Sequence, residues 1–165
     1  MGKEIERKFL LPAFPQRELE DQAISIISRI MIYQTYLAYS SDQEIRIRKL
    51  VDHDGAAEYT HTFKSGHGMV REEIEYAITE PVYEQLLQNT RFVPLEKIRT
   101  TVQSGPFTFE IDEYRQIELT VVEVEFPDEE AARQFSAPAW FGRELGAEEE
   151  YRNKTLWMKL QLPQA

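Results

Sequence analysis

Charged residues recur at alternate positions, with apolar residues between them, in stretch after stretch of this chain, and that pattern leaves few folds open. The rows are Glu4/Glu6/Lys8, Arg46/Arg48, Glu73/Glu75, Lys97/Arg99, Glu110/Asp112 and Glu123/Glu125, with Thr62/Lys64 a milder case. A β-strand sends successive side chains to opposite faces, so each stretch has one charged row and one row of Ile, Val, Phe or Tyr. In an ordinary antiparallel sheet the apolar row meets a core and the charges meet water. Solvated rows would mix Lys with Thr, Ser and Gln, whereas these are built of charges, largely grouped by sign. The alternative is a closed antiparallel barrel, with a charged lumen and an apolar outer face covered by helices. Closure removes the sheet edges, and about eight strands leave room for one small ligand. The expected class is therefore α+β, mainly β: an eight-stranded antiparallel β-barrel with helices packed outside.

The chain supports this in order. After the first row, Pro12 and Pro15 break the strand, and Gln16 to Ile27 reads as the start of a helix. Arg29 to Ala38 suits a strand, Glu44 to Leu50 alternates cleanly, and Asp52-His53-Asp54-Gly55 turns into the strand Glu58 to Lys64. Beyond the Ser65-Gly66-His67-Gly68 loop, Val70 to Ile78 alternates again. Thr79-Glu80-Pro81 opens a helix to Gln88. Lys97 to Val102, Phe107 to Tyr114 and Leu119 to Phe126 read as strands. Pro127-Asp128-Glu129-Glu130 opens a helix through Phe135, Ala137 to Gly146 is a loop, and Asn153 to Leu160 is a terminal helix. No linker or composition shift divides the chain, so residues 1–165 are expected to form one domain.

Charge and composition narrow the chemistry. A net charge of −10 leaves no broad basic surface, which argues against nucleic acid as a partner. The absence of cysteine excludes thiolate metal sites and leaves hard, oxygen-ligated cations. No apolar stretch approaches the length of a membrane span, and the N-terminus has no apolar leader, so a cytoplasmic protein without a membrane partner is expected. The basic rows suit a polyanion. The acidic rows suit Mg²⁺ or Mn²⁺, which bridge to phosphate oxygens. Polyphosphate with a divalent metal is the guest that uses both.

The stretch Glu4-Ile5-Glu6-Arg7-Lys8 is a Glu-x-Glu-x-Lys motif, and further signatures follow it in order. They are Gln34-Thr35-Tyr36-Leu37, Arg46-Ile47-Arg48, Thr62-Phe63-Lys64, Arg71 with Glu73 and Glu75, Lys97-Ile98-Arg99, Glu110-Ile111-Asp112, Val122 to Phe126 and Tyr151-Arg152-Asn153. On these the sequence resembles the CYTH superfamily, the triphosphate tunnel metalloenzymes, and in particular its small bacterial inorganic triphosphatases. The resemblance implies an eight-stranded tunnel, a triphosphate substrate and divalent-metal dependence. It implies Glu4, Glu6, Glu123 and Glu125 as metal ligands, with Asp112, Glu73 and Glu75 nearby. It implies Lys8, Arg46, Arg48, Lys97 and Arg99 as the grip on the triphosphate. Lys64 would position the attacking water or a terminal phosphoryl group, which makes Lys64, Glu4 and Glu6 the catalytic candidates. The segment Gly146 to Tyr151 departs from the family pattern, which bears on closure of the tunnel at its C-terminal end.

The function this implies is hydrolysis of a triphosphate, inorganic tripolyphosphate to pyrophosphate and phosphate. Two other enzymes share the fold, a class IV type adenylyl cyclase and a thiamine triphosphatase. A compact chain with no extra segment for a nucleobase or thiazolium ring ranks them lower. A polyphosphate or nucleotide sensor without catalysis would gain little from so many carboxylates. Homodimerisation is left open.

Overall fold

The computed structural model describes residues 2–146 and 148–162. Eight strands close into an antiparallel barrel: β1 (Gly2–Leu10), β2 (Ser25–Tyr39), β3 (Gln43–Val51), β4 (Ala57–Ser65), β5 (Val70–Ala77), β6 (Leu95–Ser104), β7 (Phe107–Tyr114) and β8 (Thr120–Glu125). Around the barrel they run β1-β5-β4-β3-β2-β6-β7-β8. Two meanders, β2 to β5 and β6 to β8, are therefore joined on one side by β2 against β6 and on the other by β1. That first strand pairs with both β5 and β8. The turns follow local chemistry. Asp52 Oδ1 accepts from the backbone N–H groups of Asp54 and Ala56 at 2.9 and 3.0 Å, and Gly55 supplies a φ of +85°.

Register fixes which row faces inward. Residues directly opposite one another share a face, and Glu6 lies opposite Glu125, Lys8 opposite Glu123, Lys64 opposite Glu73, Arg99 opposite Asp112 and Glu110 opposite Glu123. The charged rows thus converge on the lumen. The interleaved residues Ile5, Phe9, Phe109, Ile111, Val122, Val124 and Phe126 form an outer core. Helix α3 (Glu129–Gln134), capped by Asp128 Oδ1 accepting from Ala131 N at 2.7 Å, covers this core with Ala132 and Phe135, joined by Phe141 and Trp140 from the following loop. Helix α2 (Glu80–Gln88) has Thr79 as N-cap and covers Ile47 and Tyr59 with Tyr83, whose ring lies 5.0 Å from that of Tyr59.

One end of the barrel is covered from inside. Helix α4 (Asn153–Leu160) places Leu156 and Trp157 against Tyr36, Leu95, Tyr114 and Val121. By register, Tyr36 shares the face of Arg46, and Tyr114 the face of Lys97, so this apolar group sits within the lumen's cross-section. The 3₁₀ turn Glu149–Tyr151 leads into α4; Ala147, in the atypical segment, lies outside the described residues.

The helix expected over Gln16 to Ile27 is cut short. Helix α1 spans only Gln16–Glu20, because Gln22 turns left-handed at φ +60°, and Ser25 to Ile27 already belong to β2. Their pairing with β6, Ser25 opposite Gln103 and Ile26 opposite Val102, outweighs the local helical tendency. Helix α3 also stops one residue before Phe135, which is extended and drops its ring among Phe9, Phe107 and Phe126.

Candidate active site

The lumen holds a cavity of about 330 Å³. Nine acidic and ten basic residues line it, and among the described residues no Phe, Tyr or Trp does. Such a concentration of buried charge is costly unless the groups pair or bind something.

Most of the cations are paired. Lys64 Nζ lies 3.0 Å from Glu4 Oε1 and 3.4 Å from Glu73 Oε2. Arg48 meets Glu75 at 3.2 Å. Lys8 donates to the backbone carbonyl of Tyr151 at 2.9 Å and stands 3.9 Å from Glu123. Arg99 forks onto both oxygens of Asp112 at 2.7 and 2.8 Å and reaches Glu110 at 2.8 Å. Among the lining arginines Arg46 is the exception. It is only 6% exposed, its Nε is buried without a hydrogen-bond partner, and it makes no ion pair among the described residues. Next to it, burial pulls Arg48 down to about 10, and the neighbouring charges of Arg46 and Arg99 add to the shift. Burial works to lower Arg46 too, but Tyr36, Glu44, Glu75 and Glu4 outweigh it and raise it, so a charged guanidinium with no carboxylate in contact stands beside Arg48, a pair suited to gripping an anion.

The carboxylates show the complementary strain. Burial and the nearby Glu123 push Glu6 well above the ordinary range. Glu73 rises to about 7 through its hydrogen bond with Glu4, with burial adding to the shift. Burial works to raise Glu4 too, but the hydrogen bond with Glu73 and the Lys64 ammonium outweigh it and hold Glu4 at about 2. Glu125 and Glu110 are also raised, chiefly by burial. Acids that resist ionisation because they are buried with other acids beside them are groups that a divalent cation would relieve. Among the described residues no three carboxylates form a ready-made cage. The donor set is all oxygen and comes in pairs, which fits an ion held by one or two carboxylates that leaves part of its shell to water and phosphate.

Glu4, Glu6, Lys8, Arg46, Arg48, Lys64, Glu73, Glu75, Lys97, Arg99, Glu123 and Glu125 all line the cavity. Asp112 does not. It is fully buried behind the wall, with its oxygens taken by Arg99 and by Lys97 Nζ at 2.9 Å. Burial opposes its ionisation, but these two cations hold it well below the usual carboxylate range. It aims the Arg99 fork and has no oxygen left for a metal. Other charged lining residues had been given no role from the sequence, among them Glu44, Lys154 and, though both stand in the quoted signatures, Arg71 and Arg152. Counting back by twos from Arg48 and Arg46 reaches Glu44, and counting back from Glu75 and Glu73 reaches Arg71. Arg152 and Lys154 enter only because the C-terminal segment crosses the barrel end.

Comparison with known proteins agrees with this geometry. The family model of the CYTH domain matches residues 2–155. An inorganic triphosphatase of Nitrosomonas europaea is 35% identical over 162 residues, 95% of this chain and 98% of that protein. An inorganic triphosphatase of Acetivibrio thermocellus is 31% identical over 159 residues, 94% of each chain. Among solved structures, that of an inorganic triphosphatase superposes with a TM-score of 0.64 at 33% identity, covering 99% of both chains. A putative adenylate cyclase from Bacillus halodurans shares the fold at a TM-score of 0.56 and 17% identity, over 100% of this chain and 96% of that one.

Proposed function

The chain belongs to the CYTH domain family, and on that footing we propose that it hydrolyses inorganic tripolyphosphate to pyrophosphate and phosphate with the help of Mg²⁺ or Mn²⁺. The observation that carries this reading is Arg46, a buried guanidinium without a carboxylate partner among the described residues, in a cavity whose other arginines are all paired. A triphosphate supplies the missing anion. The lack of an aromatic surface in the cavity favours an unsubstituted triphosphate over a nucleotide, whose base would need a stacking partner.

In this reading Arg46, Arg48, Lys97, Arg99 and Lys8 grip the phosphoryl oxygens, the arginines through planar, partly bidentate contacts. Asp112 keeps Arg99 in register, so little reorganisation is needed as charge shifts along the P–O–P bond. Glu4, Glu6, Glu123 and Glu125, with Glu73 and Glu75 beside them, would hold the divalent cation. When bound, that cation supplies charge neutralisation and Lewis acidity. Lys64, suspended between Glu4 and Glu73, would orient the attacking water or the terminal phosphoryl group. Positioning and charge neutralisation are the main demands of phosphoryl transfer.

The test is release of phosphate and pyrophosphate from tripolyphosphate, ATP and thiamine triphosphate in parallel, with Mg²⁺, with Mn²⁺ and with EDTA. Metal-dependent release from tripolyphosphate is expected, and Glu6→Gln should abolish it while leaving the fold intact, since the change removes like-charge repulsion along with a ligand. A cyclic nucleotide formed from ATP would transfer the reading to a cyclase. Binding without turnover of any substrate would leave a sensor.

A further inference from the structure

Glu44 is a carboxylate that the grip and the metal pairs leave unused, and it stands where the lumen ends. It lies two residues from Arg46 on β3, so Glu44, Arg46 and Arg48 are successive inward positions about 6.6 Å apart. Its side chain is 5% exposed. Its two oxygens reach two different arginines, Oε1 to Arg71 Nη1 at 3.4 Å and Oε2 to Arg152 Nη2 at 3.7 Å, and all three residues line the cavity. Arg71 belongs to β5 and Arg152 to the C-terminal segment. That segment is pinned across the barrel end: the Tyr151 carbonyl accepts from Lys8, Asn153 Oδ1 accepts from the Tyr114 hydroxyl, and Lys154 donates to the carbonyl of Ser40 in the β2–β3 turn. Arg71 is fastened by its Nε to the carbonyl of Gly66, and its Nη2 is buried without a partner.

We propose that the Arg71–Glu44–Arg152 bridge is an end-stop that fixes how many phosphoryl groups the tunnel admits, selecting tripolyphosphate over longer linear polyphosphates. This rests on the tripolyphosphate reading above and adds a specificity determinant to it. A phosphoryl group arriving beyond Arg46 meets two guanidiniums that can hold its oxygens, and between them a carboxylate that repels anything further. Extending the chain by one more phosphoryl group would press anionic oxygens onto Glu44 or break both of its ion pairs. Like charges brought together in a buried site cost enough to change preference by an order of magnitude or more.

Tri-, tetra- and pentapolyphosphate are compared on the wild type, Glu44→Gln and Arg152→Gln, both as kcat/KM with Mg²⁺ and as equilibrium binding by calorimetry. The wild type is expected to favour tripolyphosphate; in Glu44→Gln, which removes the repelling charge, the ratio of tetra- to tripolyphosphate should rise at least about tenfold, whereas Arg152→Gln, which leaves Glu44 in place and takes away a cation, should not raise it. Glu44→Ser removes the same charge and decides the matter if Glu44→Gln folds poorly. The end-stop is overturned if the wild type takes the longer chains as readily, if loss of the Glu44 charge changes all lengths in proportion, or if Arg152→Gln admits longer chains as well as Glu44→Gln does. Absence of turnover in the wild type would overturn the hydrolase reading alone, and the affinity ratios would still decide the end-stop.

Discussion

Lys97 is 1% exposed, its ammonium 2.9 Å from Asp112 and 5.7 Å from the centre of the Tyr114 ring. Burial lowers it to about 8; Asp112 resists that shift and Arg99 reinforces it. A lysine that must be charged to hold a polyanion is competent below this value and is lost above it. The expected outcome is a fall in kcat/KM as pH rises through about 8, with the slope of a single proton. Lys97→Arg, which keeps its charge throughout, should carry the fall to higher pH at some cost in geometry. A wild-type pH–rate profile that stays flat to about pH 9.5 would show that the charge of Lys97 is not needed. The neighbouring Asp112 shows how far a residue's role could be read beforehand. Its alternation with Glu110 announced an inward-facing acid, but the fork of Arg99 that occupies it depends on the pairing of β6 with β7, which no local pattern contains.

At the scale of elements, legibility followed punctuation. Helix α2 and strand β7 fell where they were expected because Thr79 with Pro81, and Gly105-Pro106, mark their starts chemically. The beginning of β2 did not, since nothing in Ile24 to Ser28 forbids a helix and only the partner strand β6 decides. The charged rows were legible because a period of two survives any tilt of the strand. The contribution of α4 was legible only as a helix. That its apolar side would seal the lumen depends on how residues 148–152 lead it across the barrel end. Trp157 is the centre of that seal, 1% exposed, with ring centres 5.4 Å from Tyr36 and 5.0 Å from Phe92. Trp157→Ala should cost about 3–5 kcal/mol in denaturant unfolding followed by circular dichroism. It should also weaken substrate binding, because Tyr36 lies opposite Arg46 on the lumen face. A loss under about 1 kcal/mol would mean that α4 does not seal the barrel.

At the scale of the whole molecule, the charge is divided unevenly. Of 29 acidic and 19 basic residues, nine and ten line the tunnel, so the outer surface carries all of the net charge of −10. Free tripolyphosphate approaches a repelling body before it meets an attracting cavity. At fixed free Mg²⁺, kcat/KM should rise modestly, about two- to threefold, as inert salt brings the screening length from about 30 Å at 0.01 M to about 8 Å at 0.15 M. A steep fall would mean that the field of the tunnel reaches past its mouth. The barrel's closing strand has a consequence of another kind. Strand β1 carries Glu4 and Glu6, yet one of its two neighbours, β8, ends at Glu125. On a ribosome adding about 5–20 residues each second, the strand made first waits roughly 6–23 s for that partner to be synthesised. Premature termination before β8 therefore yields a chain that holds six of the nine acidic residues of the tunnel lining and nowhere to assemble them, so a closed barrel doubles as proof that translation ran through the last strand.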